Sequence, residues 1–254
     1  MSEKGMNPAE FGNIARAEDD LWWYRGQREI LIGLIDRWLA FRAVEHVLEA
    51  GCGTGHTAKF LADRHGWRLT ALDLSALGLD HARRRGLSRL VQGDITQLPL
   101  RSGMFDALIS LDVIAHLESG SDLLAFREFS RVVRPGGLLV LRTAALECLR
   151  SRHSEYIFER QRFTRSRLVS RIEQAGCRVL YATYLNALLL PVAWLKFRIW
   201  EPLLSAPPAS GVGPAAAWLN NLLSLPLAIE AQWIKRGGSL PIGQTLLVVA
   251  EVRP

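Results

Sequence analysis

Val47-Leu48-Glu49-Ala50-Gly51-Cys52-Gly53-Thr54-Gly55-His56 decides the fold. A short apolar run ends in a glycine, two more glycines follow at alternate positions, and a helical pattern begins at once. Glycine lets the backbone turn tightly and approach a ligand closely, with the first turn of a helix behind it. The segment therefore reads as a strand, a tight loop and a helix that together accept a nucleotide-type cofactor. The dinucleotide fingerprint would need a glycine at position 56, where His56 stands.

Outward from this loop, strand-like and helix-like stretches alternate. Segment 69–73 reads as a strand, 75–85 as a helix, 90–92 as a strand, 105–111 as a strand and 122–133 as a helix. Arg134-Pro135-Gly136-Gly137 reads as a stop to that helix, and 138–141 resumes the strand pattern. Such alternation builds βαβ units and a parallel sheet. Upstream, Leu31, Leu34, Ile35 and Trp38 share one face of a helix. Downstream come a helix from Thr164 closed by Gly176, a strand over 178–184 and a last strand over 245–252.

Two acids follow the glycine loop at strand ends. Asp73, 22 residues after Gly51, is placed to accept hydrogen bonds from ribose hydroxyls, and Asp94 to accept from an exocyclic amine of adenine. Leu74 and Ile95 flank the ring position. Open α/β sheets bind ligands at the carboxyl ends of their strands. Each acid also has a purely structural alternative: Asp73 capping the helix near Ser75, and Asp94 capping the turn at Ile95-Thr96.

These residues, with 105–117 and Arg134-Pro135-Gly136-Gly137, resemble the class I S-adenosylmethionine (SAM)-dependent methyltransferases over roughly 45–186 and the final strand. The resemblance implies an α/β fold: a doubly wound, seven-stranded, mostly parallel Rossmann-like sheet with an antiparallel last strand. It also implies SAM as cofactor and S-adenosylhomocysteine as product. Glu49, Gly51, Cys52, Gly53 and Gly55 would meet the methionine end, Asp73 the ribose, Asp94 the adenine, with Leu74 and Ile95 flanking its ring, and the backbone near Leu111 the amino-acid part. Leu21-Trp22-Trp23-Tyr24-Arg25-Gly26-Gln27-Arg28 resembles a segment that folds over the cofactor in some of these enzymes. Tyr24 would then exclude water, and Arg25 or Arg28 would pair with the SAM carboxylate.

His116 lies just past the fourth strand with an imidazole suited to act as a base at neutral pH, or is simply a half-exposed histidine at a helix edge. Asp112 touches substrate or caps its turn. His153, Tyr156 and Arg160 lie in a charged, aromatic segment that borders the acceptor pocket in similar enzymes, or in a solvated loop. No metal site is expected.

The chain divides into a helical N-terminal cap (1–40), a SAM-binding core (41–186), an apolar insertion (187–243) and a final core strand (244–254). The insertion holds Trp194, Trp200, Trp218 and Trp233, half of all the tryptophan, and carries no charge over 202–229. Pro202, Pro207, Pro208, Pro214 and Pro226 read as dividing it into short helices, which defeats a membrane span. It is a lid over an apolar substrate, a homodimer interface, or a peripheral membrane contact helped by Lys196, Arg198, Lys235 and Arg236. The first two are favoured slightly.

Composition excludes several classes. Of 254 residues 49% are hydrophobic and 22% charged, which rules out disorder. Three cysteines, Cys52, Cys148 and Cys177, lack disulfide or zinc-ribbon spacing, and 1–20 has no apolar run but holds Glu3, Glu10, Glu18, Asp19 and Asp20. A cytoplasmic location, with peripheral membrane attachment as its variant, is expected. The net charge of +6 favours anions without choosing among them. The expected function is methyl transfer from SAM to an O or N atom of a small, apolar or amphiphilic acceptor. The alternatives are a non-catalytic SAM-fold scaffold and an RNA methyltransferase. Nucleic acid is the disfavoured partner, because no RNA-binding motif is appended and the arginines are dispersed among acids. A nicotinamide dehydrogenase is disfavoured by the glycine spacing.

Overall fold

The computed structural model describes residues 5–39, 42–204, 206–213 and 215–254. Glu3, the boundary between 40 and 41, and Pro214 lie outside the described residues. The elements run α1 (Pro8–Ala17), α2 (Trp22–Trp38), β1 (His46–Ala50), α3 (His56–His65), β2 (Arg68–Asp73), α4 (Ala76–Arg84), β3 (Leu90–Gln92) and β4 (Phe105–Leu111). They continue with α5 (Ser121–Val132), β5 (Val133–Ala144), α6 (Arg152–Tyr156), α7 (Arg165–Gln174), β6 (Cys177–Leu185), α8 (Leu190–Leu195), α9 (Glu201–Leu204), α10 (Ala217–Lys235) and β7 (Thr245–Val252). Short 3-10 turns cover Ile114–His116 and Glu147–Leu149, and a π turn covers Lys196–Trp200.

The seven strands form one sheet in the order β3-β2-β1-β4-β5-β7-β6. Neighbours from β3 to β5 are parallel, while β7 runs antiparallel to both β5 and β6. Because side chains alternate across a strand, the sheet feeds two cores. Leu48 and Ala50 of β1 join Phe126 and Phe129 of α5 and Leu168 and Ile172 of α7. Val47 points the other way, to Leu34 and Ile35 of α2, Leu61 of α3, Leu79 of α4 and Ile234 of α10. Helices on both faces leave the carboxyl ends of β1 to β5 as the open edge, and a large cavity among the described residues forms there.

Three local readings differ from the structure. Arg134-Pro135-Gly136-Gly137 lies within β5 rather than ahead of it, as an irregularity in the β4–β5 ladder between Phe105 and Ala107. Pro226 does not end a helix: α10 runs unbroken for 19 residues through it. A proline inside a helix costs about 3 kcal/mol, and tertiary packing offsets it here, since α10 lies along α2 with Gly26 directly beneath Leu227. A Cβ at Gly26 would sit 2.3 Å from Leu227 Cδ1, so glycine is what allows the approach. The run from α8 through the π turn to α9 is likewise one helical path.

Candidate functional site

The loop after β1 is built on left-handed glycines, with φ of 83° at Gly51, 53° at Gly53 and 75° at Gly55. Its amides are used inside the protein. Gly51 N and Cys52 N donate to Leu72 O (2.7 and 2.9 Å), and Gly55 N donates to Cys52 O (2.9 Å). Gly53 N donates to Asp73 Oδ2 (2.7 Å). A pyrophosphate-binding nest needs free amide donors. These four are spent, and at these positions the loop sets side chains around a cavity.

Asp73 also accepts from Ser75 N at 2.8 Å, the capping geometry foreseen as its structural alternative, and burial raises its pKa. The Asp94 carboxylate accepts from Thr96 N (2.8 Å) and Thr96 Oγ1 (2.6 Å), again the turn-capping role. Both residues nevertheless line the same cavity of about 1160 Å³, and a carboxylate has about four lone-pair sites. The turn bonds leave acceptor capacity on Asp73.

Glu49 is buried beneath the glycine loop. Burial, then the neighbouring Asp73 charge, push its carboxyl up to about 8, and Oε2 has no hydrogen-bond partner. Burial also raises the Cys52 thiol and the Tyr24 phenol, the latter helped by Glu18, Glu10 and Asp112.

At the ends of β4 and β5, Asp112 takes a left-handed backbone (φ 61°) and pairs with Arg142, Nη2 to Oδ2 2.6 Å. Arg142 Nη1 donates to Gln27 Oε1 (3.1 Å), Gln27 Nε2 donates to Asn186 Oδ1 (2.9 Å), and the guanidinium lies 5.3 Å from the Trp23 ring centroid. This chain ties α2 to the strand ends. The N-terminal segment is tied again where Thr54 Oγ1 donates to Glu18 Oε2 (2.6 Å) and Arg85 pairs with Glu18. Across the cavity, His116 ends the 3-10 turn after β4. Burial lowers its pKa against backbone hydrogen bonding at Phe158 and Ile157, and Nδ1 has no partner. His153 Nδ1 accepts from Gly211 N (2.9 Å), and burial lowers this imidazole too.

One cavity thus gathers Tyr24, Glu49, Gly51, Cys52, Gly53, Asp73, Leu74, Asp94, Ile95, Leu111, Asp112, His116, His153 and Arg160 of the sequence-derived set. Gly55 stands behind it, packed so that a Cβ would meet Ala82 Cβ at 2.6 Å. Three expectations fall elsewhere. Arg25 is exposed on α2 outside the cavity wall, because the α2 face that turns inward carries Gly26 and Gln27. Arg28 lies beside His56, 3.3 Å from Nε2. Tyr156 offers its backbone carbonyl to Asn7 Nδ2 and does not line the cavity. Sequence reasoning missed Arg142, Gln27 and Glu10. A single charge ending the apolar run of β5 was the available signal for Arg142.

Residues 48–141 match the family model for a methyltransferase domain. Over that stretch, a little more than a third of its length, the chain is similar to methyltransferase domains. Among similar proteins is the malonyl-(acyl-carrier protein) O-methyltransferase of Enterobacter lignolyticus, 40% identical over 112 residues, covering 44% of this chain and 43% of that protein. A probable SAM-dependent methyltransferase of Mycolicibacterium smegmatis is 33% identical over 129 residues, 50% of this chain and 47% of its own length. The match thus spans under half the length of either relative. Among solved structures, a geranyl diphosphate methyltransferase in complex with geranyl diphosphate and sinefungin superposes with a TM-score of 0.60 at 18% identity, covering 90% of this chain and 78% of that one. This chain shares that fold. Among its described residues no cluster of three or more His, Cys, Asp or Glu is arranged to hold a metal ion.

Proposed function

We propose that this chain transfers a methyl group from SAM to an oxygen or nitrogen of a small amphiphilic acceptor. The observation that carries the reading is the convergence of Glu49, Asp73, Asp94 and Asp112, from four adjacent strand ends, on one cavity, with the amides of Gly51, Cys52, Gly53 and Gly55 bonded within the protein. An acid-rich wall suits a cationic sulfonium and opposes a pyrophosphate. Asp73 would hold the ribose, Asp94 the adenine amine between Leu74 and Ile95, and Glu49 with the Asp112–Arg142 pair the amino-acid end. The unpartnered Glu49 Oε2 supports this fit, since a buried polar atom without a partner is costly unless a ligand supplies one.

SAM supplies an electrophilic methyl on a sulfonium. The protein's part is orientation and water exclusion. Trp23 and Tyr24 of α2 close the cavity on one side, and Leu189, Val192 and Phe197 give it an apolar wall on another. His116, kept neutral by burial and with Nδ1 unpartnered, is the group that removes the acceptor's proton. His153 and Arg160 are acceptor-side polar contacts, and Asp112, fixed by Arg142, lies where the amino-acid end of SAM meets the acceptor. The carrier-protein relative supports oxygen as the atom methylated.

Thermal unfolding with SAM, S-adenosylhomocysteine and NAD in parallel, with and without Asp73→Ala, tests the reading. A ligand at 100 times its Kd adds about 2.7 kcal/mol. Shifts with the two adenosyl compounds that vanish in Asp73→Ala are expected, and a shift with NAD alone overturns the proposal. Release of S-adenosylhomocysteine with an acceptor separates an enzyme from a scaffold.

A further inference from the structure

The outer helices of the insertion carry an apolar face that no described part of the chain covers. On α10, Trp218, Leu222, Leu225, Ile229 and Trp233 recur at i, i+4, i+7, i+11 and i+15, one stripe of a helix, and each is more than half exposed. The buried positions of the same helix, Leu227, Ala231 and Ile234, lie on the face turned inward. On the preceding helical path, Val192, Leu195, Ile199 and Leu203 line up at i, i+3, i+7 and i+11, with Leu188 in the turn just before it, and Leu203 is 76% exposed. Trp200 adds to this surface at 63%. Soluble monomers rarely leave apolar stripes of this extent uncovered.

The charges of the segment choose the occupant. Lys196, Arg198, Lys235 and Arg236 are exposed. The two acids are directed inward: Glu230 is buried and accepts from Asn186 N (2.7 Å) and Leu188 N (2.9 Å), while Glu201 lines the cavity and accepts from Arg152 N (3.0 Å). The exposed charge bordering the stripes is therefore all positive. A two-fold self-association would bring cations together with no exposed acid of the segment to pair them. No helix among the described residues is long and apolar enough to cross a membrane.

We infer that this face docks the protein on an anionic bilayer leaflet. Tryptophan and leucine lie at the headgroup–acyl boundary, the helices rest in the plane of the surface, and the four cations meet the anionic headgroups. The docking does not depend on the methyl-transfer reading. The two meet at Val192 and Lys196, which line the cavity from the same helical path, so an amphiphile held in the leaflet lies next to the apolar wall.

The test is co-sedimentation of the full chain with phosphatidylcholine vesicles and with vesicles enriched in phosphatidylglycerol, without SAM or acceptor. Binding to the anionic vesicles, weakened by salt, is expected, with tryptophan fluorescence quenched by brominated acyl chains. Trp218→Gln/Leu225→Gln/Ile229→Gln should weaken binding at least about tenfold, and Arg198→Gln/Arg236→Gln should remove the preference for anionic lipid. These side chains point outward, so unchanged circular dichroism and unchanged SAM titration separate this result from the fate of the enzymatic proposal. Failure to pellet with either vesicle overturns the inference. So does a stable dimer by light scattering that the triple variant converts to monomer without any vesicle binding.

Discussion

Arg142 at the end of β5 donates both Nε (3.0 Å) and Nη2 (2.6 Å) to the same oxygen of Asp112, at the end of β4. The backbones are coupled as well, Asp112 N donating to Arg142 O at 2.8 Å. Two neighbouring strand ends are thereby fixed where the cavity wall needs them. Arg142 is nearly buried but Asp112 is over a third exposed in its side chain, so solvent discounts the pair's energy.

Arg142→Met is expected to cost about 1 to 3 kcal/mol, since it strips hydrogen bonds from Asp112 and Gln27 at once. Calorimetric unfolding reads the loss, and SAM titration should show weaker binding. Arg142→Lys keeps the charge but cannot serve both partners, so it should recover little of either. Wild-type SAM affinity in Arg142→Met would separate the pair from the cofactor site.

Gly51 and Gly53 predict opposite behaviour. A Cβ at Gly51 would sit 2.2 Å from Val113 Cγ2, against a β-branched side chain that is stiff about χ1. Gly51→Ala is therefore expected to lower Tm clearly and to abolish SAM binding. At Gly53 no atom lies within 4 Å of the added carbon. Gly53→Ala should cost only about 1 to 2 kcal/mol for its left-handed backbone, yet weaken SAM binding because Gly53 lines the cavity. Equal Tm losses for the two would contradict this account.

The sheet was legible because period-2 apolar runs and turn glycines are local signals. The strand-end acids were legible for the same reason: Asp73 and Asp94 each close such a run. What escaped depends on contacts distant in sequence. Pro226 reads as a helix breaker until α10 is seen packed along α2 over Gly26. Arg25 looks like the natural cofactor arginine until the helix faces are known: Arg25 is exposed, while Gln27 on the inward face holds Arg142, which lines the cavity. The turn roles of Asp73 and Asp94 were foreseen as alternatives to ligand binding, and the structure shows those turn bonds formed in a wall that also faces the cavity.

Glu49 sets a pH dependence of stability. Its pKa rises from 4.5 to about 8 on folding, so the folded state holds a proton that the unfolded chain releases. Stability from this group is complete below about pH 4.5 and declines by about 1.4 kcal/mol per pH unit until its folded pKa is passed. Glu49→Gln cannot titrate and keeps the oxygen that accepts from the Ala58 backbone. Its Tm should gain on the wild type steadily between pH 5 and 8 and then run parallel. A constant difference across that range would show that Glu49 is not buried in the protonated form.

His116 gives the opposite sign. Burial lowers its folded pKa below 6.5, so its contribution to stability is present above the unfolded pKa and is lost as pH falls through the folded one. His153, lowered by burial as well, acts in the same direction, and so do the carboxylates of Asp106, Glu128 and Glu251, which hydrogen bonds and neighbouring arginines hold below their ordinary range. For catalysis the lowered pKa keeps His116 unprotonated and able to accept a proton throughout the neutral range. With an acceptor in hand, the acid limb of kcat/KM should therefore lie below pH 6.5. His116→Gln should remove that limb and reduce kcat by about 10² to 10⁴-fold, the usual worth of a general base, while KM for SAM changes little. A variant that instead raises KM for SAM at unchanged kcat would assign His116 to cofactor positioning, and the proton would leave by another route.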